Sequence, residues 1–188
     1  MGRWEPNARG RLEQAALELY GENGFEQTTV AEIAKRAGLT ERTFFRHYAD
    51  KREVLFAGSG MLRDLLVATV TDAPGSTRPI DAVIAALEAA GAVLQERRDH
   101  ARQRQAVINA NMELRERELI KLASLASALA EALGRRGVTD LAASLTAEAG
   151  IAVFKVAFEH WIGSTDPETL PHVIRRSFDE LLVSVAAG

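Results

Sequence analysis

The most constraining feature of this 188-residue chain is a pair of short amphipathic segments with almost nothing between them. Val30, Ile33, Ala34 and Ala37 recur at helical spacing, and Phe44 and Tyr48 stripe a second segment from Glu41 to Tyr48. Gly38-Leu39 ends the first as a left-handed stop followed by an apolar residue, which leaves only Thr40 before the second begins. Thr29 and Glu32 form a capping box at the start of the first. An earlier helix is striped by Leu12, Ala15, Ala16, Leu19 and Tyr20 and stops at Gly24-Phe25. Two helices of about eight residues joined by a three-residue turn containing Gly have helix-turn-helix spacing. A plain helical hairpin has the same spacing.

Charge separates the two readings. The net charge of −3 argues at first sight against a nucleic-acid partner. Residues 35–52, however, carry six Lys or Arg against two Asp or Glu, a formal +4, while both flanks are acidic. The positive charge is confined to the block that holds the helical pair. An acidic remainder disfavours indiscriminate coating of DNA.

The rest of the chain reads as helix. A long fourth helix is expected from Lys51 to about Thr71, opened by Asp50 and weakened in its middle by Gly58 and Gly60. Pro74 to Pro79 is a linker. Helices follow from Ile80 to Leu94, from about Asp99 to Asn109, from Glu113 to Arg135, from Thr139 to Ile162 and from Glu168 to Ala186. The expected fold class is all-α with about nine helices, in two domains, 1–50 and 51–188. No cysteine is present, which excludes disulfides, thiolate metal sites and a Cys nucleophile, and fits a cytoplasmic location. No Ser/His/Asp set or nucleotide loop supports catalysis, so an enzyme is not expected and neither is a cofactor. Gly58-Ser59-Gly60 lacks the strand and the Lys of a phosphate loop. No secretory signal or membrane span is expected.

A helix-turn-helix lays the N-terminal end of its second helix against base edges. That end is Thr40, Glu41, Arg42 and Thr43. Thr40 caps the helix and leaves amides for a phosphate. Arg42 can pair bidentately with guanine, and Thr43 can touch a base or a thymine methyl. Arg46 lies one turn beyond Arg42. Phe44 and Tyr48 face inward, while Phe45 and His47 flank the outward face. Thr28, Thr29 and Lys51 are expected on phosphates, which position without reading sequence.

From Phe25 through Thr28-Thr29-Val30, Ile33-Ala34, Ala37-Gly38-Leu39-Thr40 and Thr43-Phe44-Phe45-Arg46-His47-Tyr48 to Lys51 and Leu55, the pattern closely resembles the TetR family signature. It departs where Phe45 and Tyr48 stand for the usual Tyr and Phe. The resemblance implies a dimeric repressor with an N-terminal three-helix domain for double-stranded operator DNA and a C-terminal helical domain for effector binding and dimerisation. It places Thr28, Thr29, Thr40, Glu41, Arg42, Thr43, Phe45, Arg46, His47 and Lys51 at DNA-contacting positions. Arg3 to Arg11 reads either as an arm on DNA or as a tail.

Asn111-Met112-Glu113-Leu114-Arg115-Glu116-Arg117-Glu118 resembles a segment of the MftR group of that family, which implies a small-molecule effector, hydrophobic or acyl-coenzyme A-like. Candidate pocket residues are Leu62, Leu66, Leu94, Val107, Asn109, Met112, Phe154 and Phe158. Candidate interface residues for a homodimer are Val153, Trp161, Val173, Phe178 and Leu181. Arg97, Arg98, Arg102 and Arg104 either hold an anion or line a solvated helix junction. The competing function is an all-α small-molecule-binding protein or enzyme whose helix-turn-helix is only structural.

Overall fold

A computed structural model describes residues 7–165 and 167–186. Among these the chain forms nine α-helices and no strand. They are α1 (Ala8–Asn23), α2 (Val30–Arg36), α3 (Glu41–His47), α4 (Ser59–Asp72), α5 (Pro79–Gln95), α6 (Arg98–Ala110), α7 (Met112–Arg135), α8 (Asp140–Gly163) and α9 (Leu170–Ala186). A 3₁₀ turn covers Glu53–Phe56.

The chain divides into two compact units. The first contains residues up to Gly58 together with Gln103–Glu118. Its core joins Leu12, Ile33, Phe44 and Phe56 to Ile108 and Leu114, so the α6–α7 corner is a wall of the same body as the helical pair. The second contains Ser59–Arg102 and the residues from Leu119 onward. Its core is built on α5, α8 and α9. Gly150 on α8 sits so close to α5 that an added Cβ would stand 2.5 Å from Val83, and only a glycine permits that approach. Arg98 and Arg102 donate to carbonyls of Trp161, Ile162 and Ser164, the orphan acceptors at the end of α8. Both are therefore engaged as C-terminal caps. The Glu53–Asp72 stretch and α8 have the length and apolarity of a membrane-crossing segment. In α8 the buried part of that apolarity, including Ala147, Ile151, Phe154 and Trp161, belongs to the core of the second unit.

The continuous fourth helix does not form. Asp50 Oδ1 accepts from the amides of Arg52 and Glu53, which starts a tight turn. Carbonyls that a helix would need are then taken from outside it. Lys51 accepts the Tyr20 hydroxyl at 2.6 Å, Leu55 accepts Arg104 Nε at 2.6 Å, and Ala57 accepts Arg9. The 3₁₀ turn ends, and α4 begins only at Ser59. Arg104 lies over the Phe56 ring at 5.0 Å and pairs with Glu118 at 3.3 Å. Its burial pushes its pKa down, and the Glu118 carboxylate opposes that shift.

Candidate nucleic-acid interface

The local chemistry of α2 and α3 is set by their ends. Thr29 accepts from the Glu32 amide at 3.2 Å, while Glu32 takes the Thr29 amide at 2.8 Å, a complete capping box. Those bonds hold the Glu32 carboxyl below the usual carboxylate range. At the exit of α2, Gly38 adopts φ +67°, the Leu39 amide reaches the Ala34 carbonyl and the Gly38 amide reaches the Lys35 carbonyl. This Schellman motif turns the chain within three residues. Thr40 then caps α3 by accepting from the Thr43 amide at 3.2 Å.

Phe44 is fully buried and Tyr48 almost so, and they anchor one side of α3 in the core of the first unit. The Tyr48 hydroxyl donates to Glu13 at 2.8 Å. The opposite side of α3 presents Glu41, Arg42, Arg46 and His47, with Phe45 55% exposed and edge-on to Phe44. Thr43 is half-buried and Thr40 exposed, their hydroxyls 3.1 Å apart. Arg42 and Arg46 stand at i and i+4 and engage no acceptor among the described residues. This distinguishes them from their neighbours. Arg36 is held by Glu22 at 2.8 Å and also reaches Glu18. Arg52 bonds Asp50 and Glu113. Of the basic residues in 35–52, Lys35, Arg42 and Arg46 keep uncommitted charge.

Other expected contacts are committed inward. Thr28 is 1% exposed, and its hydroxyl is directed at the Gly24 carbonyl at 2.8 Å. Lys51 sends Nζ to the carbonyls of Phe25, Glu26 and Thr28. Arg9 and Arg11 bond the carbonyls of Ala57 and Ala37. Residues Arg3 to Pro6 of the expected arm lie outside the described residues. Arg9, which the sequence places in that arm or tail, is instead tied to an acceptor 48 residues away.

The candidate pocket residues fall into both units. Leu62, Leu66, Leu94, Phe154 and Phe158 pack in the core of the second, where Phe158 lies between Phe154 and Trp161 at centroid distances of 6.0 and 5.8 Å. Val107, Asn109 and Met112 belong to the first. Val107 lines an open groove of about 370 Å³ there, with Tyr20, Phe25 and Asn111. Asn109 accepts from Gln105, and Met112 is exposed. Of the candidate interface residues, Val153, Trp161, Val173 and Phe178 are buried in the second unit's own core, and only Leu181 is exposed. The exposed apolar positions of α8 and α9 are instead Leu141, Leu145, Val156, Leu182, Val183 and Val185, beside Leu181. No group of three or more potential metal ligands occurs among the described residues.

Residues 13–57 match the family of bacterial regulatory proteins described as the tetR family, and residues 77–186 match the MftR C-terminal domain. The chain is 26% identical over 182 residues to the regulator MftR of Mycobacterium tuberculosis, covering 95% of this chain and 91% of that protein. It is 36% identical over 81 residues to the HTH-type transcriptional regulator TcmR of Streptomyces glaucescens, but the match spans only 43% of this chain and 36% of TcmR. Its fold is similar to that of FadR from Bacillus subtilis in complex with stearoyl-CoA, with a TM-score of 0.63 at 17% identity, covering 90% of this chain and 95% of that one.

Proposed function

Given that the chain belongs to the TetR family of bacterial regulatory proteins, we propose that it is a dimeric repressor released from its operator by a small-molecule effector. The observation that carries the DNA half of this reading is the pair of uncommitted guanidinium groups, Arg42 and Arg46, on the exposed face of α3. Phe44 and the Thr40 cap hold the backbone of that face in place, so a base contact there has only side chains to order. Arg42 reads guanine and Phe45 lies against sugar or a thymine methyl. The Thr40 hydroxyl and the Thr29 end of α2 meet phosphates, and Glu41 excludes them from its own position. The protein works in the cytoplasm, where its DNA is, and carries out no catalysis.

The exposed apolar rows of α8 and α9 support a two-fold dimer. Such a dimer sets two copies of α3 one DNA turn apart, ~34–36 Å, and requires a near-palindromic site. An apolar or acyl-coenzyme A-like effector, the class bound by FadR, is taken up in the second unit. There Trp161 buries its indole N–H with no acceptor among the described residues, and a ligand oxygen would satisfy it. By linkage, the effector weakens DNA binding by its preference for the state in which the two copies of α3 are wrongly spaced.

The test is binding to DNA from the protein's own promoter region at several salt concentrations. A footprint with steep salt dependence supports the reading. Absence of any protected site would instead favour an all-α ligand-binding protein whose helical pair is only structural.

A further inference from the structure

Lys51 is half-buried, and its ammonium is fully spent. Nζ donates to the carbonyls of Phe25 at 2.9 Å, Glu26 at 3.1 Å and Thr28 at 3.0 Å, one acceptor for each of its three protons. The Phe25 ring lies 4.5 Å beneath it and adds a cation–π contact. The backbone of Lys51 is tied as well, because the Tyr20 hydroxyl donates to its carbonyl at 2.6 Å. Burial pushes the Tyr20 pKa up, so that hydroxyl stays a donor throughout the ordinary pH range. The three carbonyls belong to the turn between α1 and α2. That turn delivers Thr28, whose buried hydroxyl bonds back to Gly24, and then Thr29, which caps α2.

We infer that Lys51 is a positioning residue for DNA binding: its ammonium sets the α1–α2 turn, and thereby the Thr29 end of α2, and does not itself neutralise a phosphate. The inference rests on the DNA-binding reading above and replaces a direct contact by an indirect one. A phosphate contact would require Lys51 to surrender three carbonyls, of which only that of Phe25 has a second donor in the turn, the Thr28 amide at 3.3 Å, and that exchange brings no net gain. The residues 50–56 that present Lys51 are held in turn by α7, through Glu113 on Arg52 and Arg117 on Glu53. Thr29 therefore depends on a lysine that lies 22 positions later in the chain.

The experiment uses the full chain with Lys51→Met, which keeps the stem and removes the ammonium. Amide hydrogen exchange without DNA reads the turn. Residues 26–31 should exchange at least about fivefold faster in the variant, and unchanged exchange there overturns the inference whether or not the protein binds DNA. Binding to promoter DNA reads the second half. The variant should bind about tenfold more weakly with an unchanged slope of log affinity against log salt. A slope smaller by about 0.9 marks a lost phosphate contact and overturns the inference. Lys51→Met should also cost little further affinity on a Thr29→Ala background, because the two act through one turn. Independent, additive losses count against it. Tyr20→Phe is the milder variant should Lys51→Met fold poorly. It should loosen the same amides and leave the salt slope unchanged, and no change in exchange would again overturn the idea. A wild type that binds no DNA defeats the function proposed above, while the exchange result still decides whether Lys51 holds the turn.

Discussion

Arg117 on α7 donates through Nε, at 2.7 Å, and through a second guanidinium nitrogen to a single carboxylate oxygen of Glu53 in the 3₁₀ turn. Glu113 on Arg52 and Glu118 on Arg104 flank this pair, and Leu114 is fully buried in the core of the first unit. The segment that resembles the MftR group thus spends the charges of Glu113, Arg117 and Glu118 within the first unit. Arg117→Ala should lower the stability of that unit by about 1 kcal/mol, at the upper end for a partly exposed pair. Urea unfolding checks this, and a loss that persists unchanged in 1 M salt would contradict an ionic origin.

Thr29→Ala removes the reciprocal cap on α2. Losing such a cap costs about 1 kcal/mol, seen as a lower denaturant midpoint. The same bonds make stability pH-dependent. Because the folded pKa of Glu32 lies below its ordinary 4.5, its contribution is complete above pH 4.5 and is lost as pH falls through the lower folded value. Thr29→Ala should flatten that acid limb, and an identical limb in both proteins would refute the assignment.

Arg42→Ala should relax base preference by about 1–3 kcal/mol at one operator position. The loss on random DNA should be far smaller. Quantitative binding to single-base operator variants decides the matter, and equal loss on operator and random DNA removes Arg42 from base reading.

Leu145 and Leu182 are 62% and 51% exposed on α8 and α9. Replacing both with Asp leaves the protomer's core untouched but should halve the mass seen by sedimentation. An intact dimer with native helicity would move the interface elsewhere.

Gly58 has open space around its Cβ position and lies between the 3₁₀ turn and α4. Gly58→Ala removes conformational freedom from that break. Its effector titration curve should shift more than its DNA affinity, and unchanged induction would discard the break as a lever.

The turns and helix ends were legible because they are settled by neighbours. The Thr29–Glu32 box closes over three residues, and the Gly38 turn closes over a span from Ala34 to Leu39. The apolar faces of α2 and α3 were legible for the same reason, since helical period alone puts Phe44 and Tyr48 on one side. The fourth helix was misread because its carbonyls are taken by Tyr20, Arg9 and Arg104, which are remote in sequence. A local pattern carries no sign of such competition.

Local sequence alone settles where α2 and α3 start and stop, the all-α class, the confined positive block and the exposed face of α3. Which charges remain available follows from the tertiary contacts. Arg36, Lys51 and Arg52 look equivalent to Arg42 and Arg46 in the sequence, yet the first three are committed to partners and the last two are not. The same contacts also decide that Val153, Trp161, Val173 and Phe178 fill the second unit's own core. The reason is one of range. Caps and stripes are fixed by residues within two turns, whereas burial and ion pairing depend on groups such as Glu22, Phe25 and Glu113 that only folding brings near.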